Sequence, residues 1–253
     1  MKKGCVWILL FFFAAIPGLA GAVKAVCPPD GVGQWSKEAM FLCPQYKGRD
    51  YTRDMRIQSP DGEAVVRVGY ENWWLEMGGR KMSLPSKESR LAIDDSRVTE
   101  NAELAWAPDS VTFYLTQSEN RAGVQGFYTG VYRVTKDRVV SLLNVNEIVQ
   151  REFDRRHVCV AYDVRGKRYS EEADISAVKW VNGSDQLLVV AETTYDSECA
   201  RGYFAGYLVS LSQRKVIQRY SARELMTQWS DVVGDRLKED FRGLTAEQKD
   251  AQP

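Results

Sequence analysis

The sequence predicts a mainly β protein built from antiparallel four-stranded repeat units, with a short C-terminal helix. Three observations carry this. Between Arg53 and Tyr220 short apolar or alternating runs are separated by Gly, Pro, Asp and Asn, the pattern of strands joined by turns. No helix-period segment of comparable length interrupts that stretch. Two segments of it also repeat one another at a spacing of about 75 residues.

The strands are expected at 56–58, 64–70, 73–77, 103–106, 111–117, 130–134, 139–143, 158–163, 177–181, 186–192, 206–211 and 216–220. The clearest is Val111-Thr-Phe-Tyr-Leu-Thr116. There Val111, Phe113 and Leu115 point one way and Thr112, Tyr114 and Thr116 the other, as in a half-buried strand. Ser221–Trp229 reads as a helix with Leu225, Met226 and Trp229 free to dock on the sheets, and residues 235–242 read as helical before a polar, frayed end.

One copy of the repeat runs ELAWAPDSVTFYLT, GFYTGVYRV, RVVSLLNVNEIV, and the other SAVKWVNGSDQLLVVAE, GYFAGYLVSL, KVIQRYSARELM. Trp106 aligns with Trp180, Gly126 with Gly202, Gly130 with Gly206 and Glu147 with Glu224, at offsets of 74 to 77 residues. Each copy ends in a helix-start signal, Asn144 with Glu147 and Ser221 with Glu224, which fits a capping box. A weaker third copy precedes them in MRIQSPDGEAVVRVGYENWWLEMGGRKMSL.

The twin stretches at Gly126 and Gly202 have two readings. In the structural one, glycines at strand entries allow close approach or positive φ. In the functional one, Phe127, Tyr128, Tyr203 and Phe204 sit on matching loops and form a two-fold aromatic platform for a glycan or a partner's side chains.

AWAPDSVTFYL, and more faintly QSPDGEAVVRV, resemble the inner-strand turns of TolB-type and WD-repeat β-propeller blades. There an aromatic residue precedes a Ser/Ala-Pro-Asp-Gly turn and an apolar strand follows. The likeness covers about residues 53–220 and departs from the pattern at Ser110, where the family has glycine, and at the proline-free WVNGSDQ. It implies an open or partial propeller-like binding scaffold and brings no catalytic residue. Three blades are too few for a closed ring of four to eight. An open propeller, packed curved sheets, or a homodimer completing a six-bladed ring each fit.

The first 22 residues read as a secretory signal peptide. Lys2-Lys3 precede an apolar run to Ile16 that is too short to span a bilayer, and small residues at Leu19-Ala-Gly-Ala22 suit cleavage. Export places the chain in the periplasm or outside the cell, with no transmembrane anchor after cleavage. Cys27, Cys43, Cys159 and Cys199 then favour disulfides, with 27–43 and 159–199 preferred among three connectivities. Closing the shorter loop would add about 3 kcal/mol in the chain-entropy account.

Basic and acidic residues are balanced at 34 each, so nothing grips a phosphate backbone and nucleic acid is not an expected partner. His157 is the one histidine, which excludes a multi-histidine metal site, and no cofactor is expected. The nucleophile-elbow, zincin and P-loop motifs are absent from the sequence. Asp94-Asp95 and Glu171-Glu172 read as solvated turns, with acid–base or calcium roles as the rival reading. Trp73 and Trp74 lie on opposite faces of one strand, so at least one is exposed unless both faces are covered, and both are candidate binding residues.

The domain reading is a signal peptide at 1–22, a disulfide-pinned segment at 23–52, the β domain at 53–230 and a polar helix and tail at 231–253. The functional expectation is a non-enzymatic exported protein that binds a protein of the cell envelope, an immunity or inhibitor protein being one version. The alternatives are a glycan- or cell-wall-binding module and an envelope hydrolase.

Overall fold

A computed structural model describes residues 33–42, 46–47, 50–51, 55–68, 73–84, 102–121, 124–156, 160–162, 168–170, 172–193 and 202–251. Residues 1–22, expected to be a signal peptide, Cys27, Cys43, Cys159, Cys199, His157 and Asp94-Asp95 lie outside the described residues.

Three antiparallel sheets carry the fold. The first orders β4 (Met55–Gln58), β5 (Ala64–Val68), β6 (Trp73–Met77) and β7 (Arg80–Ser83) as a meander. The second is β8 (Ala102–Trp106), β9 (Thr112–Arg121), β10 (Val124–Val134) and β11 (Val139–Asn144), with β1 (Met40–Leu42) added along β8. The third is β14 (Asp174–Val181), β15 (Gln186–Glu192), β16 (Phe204–Ser210) and β17 (Lys215–Ser221). Two small ribbons pair β2 (Tyr46–Lys47) with β3 (Asp50–Tyr51) and β12 (Val160–Tyr162) with β13 (Arg168–Ser170). The sheets are blade-like units that do not close into a ring.

Alternation along the strands produces a layered core. Ile57, Val66, Leu75 and Met82 of the first sheet meet Leu104, Phe113, Leu115 and Tyr132 of the second. The opposite face of the second sheet, with Ala105, Tyr114 and Val131, meets Ile175, Ala177, Leu187 and Val189 of the third. Strand β9 is therefore buried on both faces: Thr112, Phe113, Tyr114 and Thr116 are all fully buried, where the sequence suggested a strand with one wet side. Val111 itself is 38 % exposed and precedes the strand.

The third sheet's far face, with Val178, Leu188, Val190, Phe204 and Leu208, is covered by Trp35 and by the C-terminal helices. These are α2 (Ala222–Trp229), α3 (Asp235–Gly243) and α4 (Ala246–Asp250), after α1 (Val145–Arg156) between the second and third sheets. The helices stand where a further blade would pack. Ser221 and Glu224 form the expected capping box, and Asn144 Oδ1 accepts the N–H of Glu147 at 3.2 Å. The tail expected to fray instead forms α4, opened by a second capping box between Thr245 and Gln248.

The tryptophans of the repeat tie adjacent sheets together. Trp106 Nε1 donates to the carbonyl of Ile57 at 3.2 Å, and Trp180 Nε1 donates to the carbonyl of Ala105, also at 3.2 Å. Ser110, in the place of a family glycine, adopts φ +60° as Gly62 does at +81° in the first sheet. Its hydroxyl accepts the Asp61 N–H at 3.1 Å, so the departure from glycine adds a bond between sheets at the cost of a left-handed conformation.

The glycine alignment is corrected by one residue. Each outer strand carries one bulge: Leu142 is the extra residue between the pairs Val131–Leu143 and Tyr132–Ser141, and Ile217 between Leu208–Gln218 and Val209–Val216. Matching the bulges puts Val131 on Leu208, so Gly130 falls on Tyr207 and Phe127 on Phe204. A one-residue slip reverses the face. The two glycines accordingly face different layers: a Cβ on Gly130 would meet Tyr132, while one on Gly206 would lie 2.8 Å from Leu225.

Candidate functional site

Chain direction sorts the connections onto two ends of the layered sheets. At one end lie short turns: 59–63, 78–79, 107–111, 135–138, 182–185 and 211–214. They are bound to one another across sheets. The Asp109 N–H donates to Ser184 Oγ at 3.1 Å, Arg80 pairs with Asp137 at 3.3 Å, and Arg214 donates to the carbonyl of Leu142 at 3.3 Å. A cleft of about 390 Å³ opens there between the second and third sheets. Its two guanidiniums are engaged in the scaffold, Arg133 on Thr112 Oγ1 at 3.3 Å and Arg214 on Leu142. Hydrogen bonds from Ser212 hold its Asp185 carboxylate below the usual range.

The opposite end carries the chain segments that join the sheets, 84–101 and 157–173, the β15–β16 connection 193–203 and the shorter connections 69–72 and 122–123, together with the starts of α1 and α2. It also collects the residues singled out from the sequence. Trp73, Phe127, Tyr128, Tyr203 and Phe204 stand at or near the strand starts on this end.

The four-aromatic platform does not form. Phe127 is 4 % and Phe204 3 % exposed, both within the core under α3, and Phe127 meets Trp35 edge to face at 4.5 Å between centroids. Tyr128 and Tyr203 are half-buried. Tyr203 packs on Phe153 at 5.0 Å, and its hydroxyl bonds that of Tyr207. The physical reason is the face alternation of β10 and β16, which turns the phenylalanines toward an apolar layer. Trp74 is half-buried on the outer face of the first sheet, its Nε1 donating to Glu76 at 3.0 Å and Lys81 lying 3.9 Å over its ring. The side chain of Trp73 and Glu171 lie outside the described residues, and Glu172 is exposed.

Sequence reasoning missed a set of buried acids beneath this end. Glu103 is fully buried in β8 and accepts the N–H groups of Gln34, of Trp35 at 2.8 Å and of Ser36 at 3.0 Å. Asp174 accepts the Phe127 N–H at 3.0 Å and pairs across the strands with Glu192. Burial pushes Glu103 and Glu192 up to about 8 and Asp174 up to about 7. Their signal was an acid set among apolar strand residues, as in Ala102-Glu-Leu-Ala-Trp106. Among the described residues no group of three potential ligands could hold a metal ion, and no helix is long and apolar enough to cross a membrane.

No family model matches the chain, and no curated protein matches it. A search of solved structures finds a likeness to the crystal structure of Porphyromonas gingivalis dipeptidyl peptidase 4, at TM-score 0.37 and 12 % identity. It covers 66 % of this chain and 25 % of that one, so the chain spans about a quarter of the structure it matches. At that score it carries no argument about activity.

Proposed function

We propose that this chain is an exported binding protein whose long-connection end engages a protein of the cell envelope. The observation that supports this reading is the contrast between the ends: turns cross-tied by hydrogen bonds hold the sheets at one, while the long segments 84–101, 157–173 and 193–203 leave and enter the same sheets at the other. Binding residues concentrate on loops held by such scaffolds. An immunity or inhibitor role, in which the loops block a secreted toxin or hydrolase, is the concrete form of this proposal. Two disulfides among Cys27, Cys43, Cys159 and Cys199 would suit an exported chain.

The test is affinity capture of the full exported chain from its native envelope after mild cross-linking, read by mass spectrometry. One stoichiometric protein partner supports the reading. Absence of any enriched protein, together with a tryptophan fluorescence response to cell-wall fragments, would replace it by glycan binding.

A further inference from the structure

Among the described residues, the interface between the third sheet and α3 gathers more carboxyl groups than cations. Asp174 and Glu192 stand opposite one another at the start of β14 and the end of β15, each 8 % exposed. Asp240, 34 % exposed, comes from α3 with the exposed Glu239 beside it, and the fully buried Glu103 from β8. Arg236 of α3 is the cation that acts on Glu103, Asp174, Glu192 and Asp240 alike. Its Nε lies 3.7 Å from Asp240 Oδ2, and its guanidinium also covers the Phe127 ring at 4.8 Å. Lys249 of α4 lies over Phe241 at 4.8 Å.

Arg236, itself 35 % exposed, cannot offset both Asp174 and Glu192 as ionised carboxylates, because each uncompensated buried charge costs several kcal/mol. Unused hydrogen-bonding capacity points the same way. Ser176 Oγ, on the strand face shared by Asp174 and fully buried, has no partner among the described residues, and Asp240 Oδ2 has no hydrogen bond there. Protons held on the carboxyl groups resolve the imbalance.

We infer that α3 is a proton-dependent latch, closed over the third sheet while its buried carboxyl groups are protonated and released when they ionise. Release would extend to the N-terminal segment, since the Gly234 N–H donates to the Trp35 carbonyl at 2.8 Å and the Arg236 N–H to the Gln34 carbonyl at 3.1 Å. Burial, then the charges of Asp240 and Asp174, raise Glu192, and burial raises Asp174 and Asp240. These groups bind protons more tightly in the closed state than in the open one. Closure is therefore strongest below the ordinary carboxyl range and weakens as pH rises, until it is lost through about 7 to 8.

The test is hydrogen–deuterium exchange of the full chain from pH 5 to pH 8, corrected for the intrinsic pH dependence of exchange. The opening constant of amides in 235–243 is expected to rise about 100-fold or more, at roughly tenfold per pH unit for each group that ionises on opening. Glu192→Gln, which keeps shape without charge, should reduce that rise at least about tenfold. Asp240→Asn, on the helix itself, makes the same test where the strand variant fails to fold. Opening that is constant across this range in the wild-type chain, or that keeps its full slope in a folded variant, overturns the latch.

Discussion

The side-chain carboxyl group of Glu103 accepts the backbone N–H of Trp35 at 2.8 Å, across 68 residues of chain. The same group takes the N–H of Ser36 and of Gln34, so one side chain of the second sheet satisfies three consecutive donors of the N-terminal segment. The segment is then held from the other side by the carbonyl of Val178, which accepts from Ser36 Oγ. Glu103→Ala would leave three N–H groups without this partner inside the protein. We expect a loss of at least about 2 kcal/mol in urea unfolding, with an unchanged slope on denaturant.

Trp35 is fully buried against Phe127 and the third-sheet layer. Trp35→Ala should cost about 3–5 kcal/mol, the range for emptying a large aromatic site. Trp74→Ala, on the outer face of the first sheet, should cost well under half of that. Equal losses at the two positions would contradict the assignment of Trp35 to the core.

Gly206 has no room for a methyl group, its Cβ falling 2.8 Å from Leu225 of α2. Gly206→Ala is expected to destabilise by about 1–3 kcal/mol through overpacking. Adding Leu225→Ala should cost less than the sum of the two single changes, because the second vacates what the first fills. A double-mutant cycle by thermal unfolding measures this coupling.

Much of the fold was legible because its signals are local. Alternation located most strands, the Pro-Asp turns marked the sheet entries, and Ser221 with Glu224 announced α2. The Trp106–Trp180 match held because both indoles perform one task, donating to the preceding sheet. The glycine match failed by one residue because a bulge and unequal strand lengths leave no mark in composition. The early part of β10 was missed since Gly126 interrupts its apolar run. The clasp of Gln34, Trp35 and Ser36 on Glu103 joins residues 67 to 69 apart, and no local pattern encodes such a pairing. Burial of Phe127 and Phe204 likewise depends on what covers the third sheet. The second capping box, Thr245 with Gln248, was present in the sequence and would have revealed α4.

The cysteines provide an independent check on export. Intact mature protein, denatured without reductant, should show no free thiol, and its N-terminus should follow Ala20 or Ala22. Four titratable thiols would contradict both the disulfides and the oxidising compartment they imply.

In the proposed function one end of the sheets does the binding. The most direct measurement is site-specific photo-cross-linking in the native envelope, with the reactive group placed at Tyr128 at the long-connection end and at Lys136 among the short turns. A single protein adduct is expected from position 128 and none from position 136. Adducts from position 136 alone, or none from either, would contradict it.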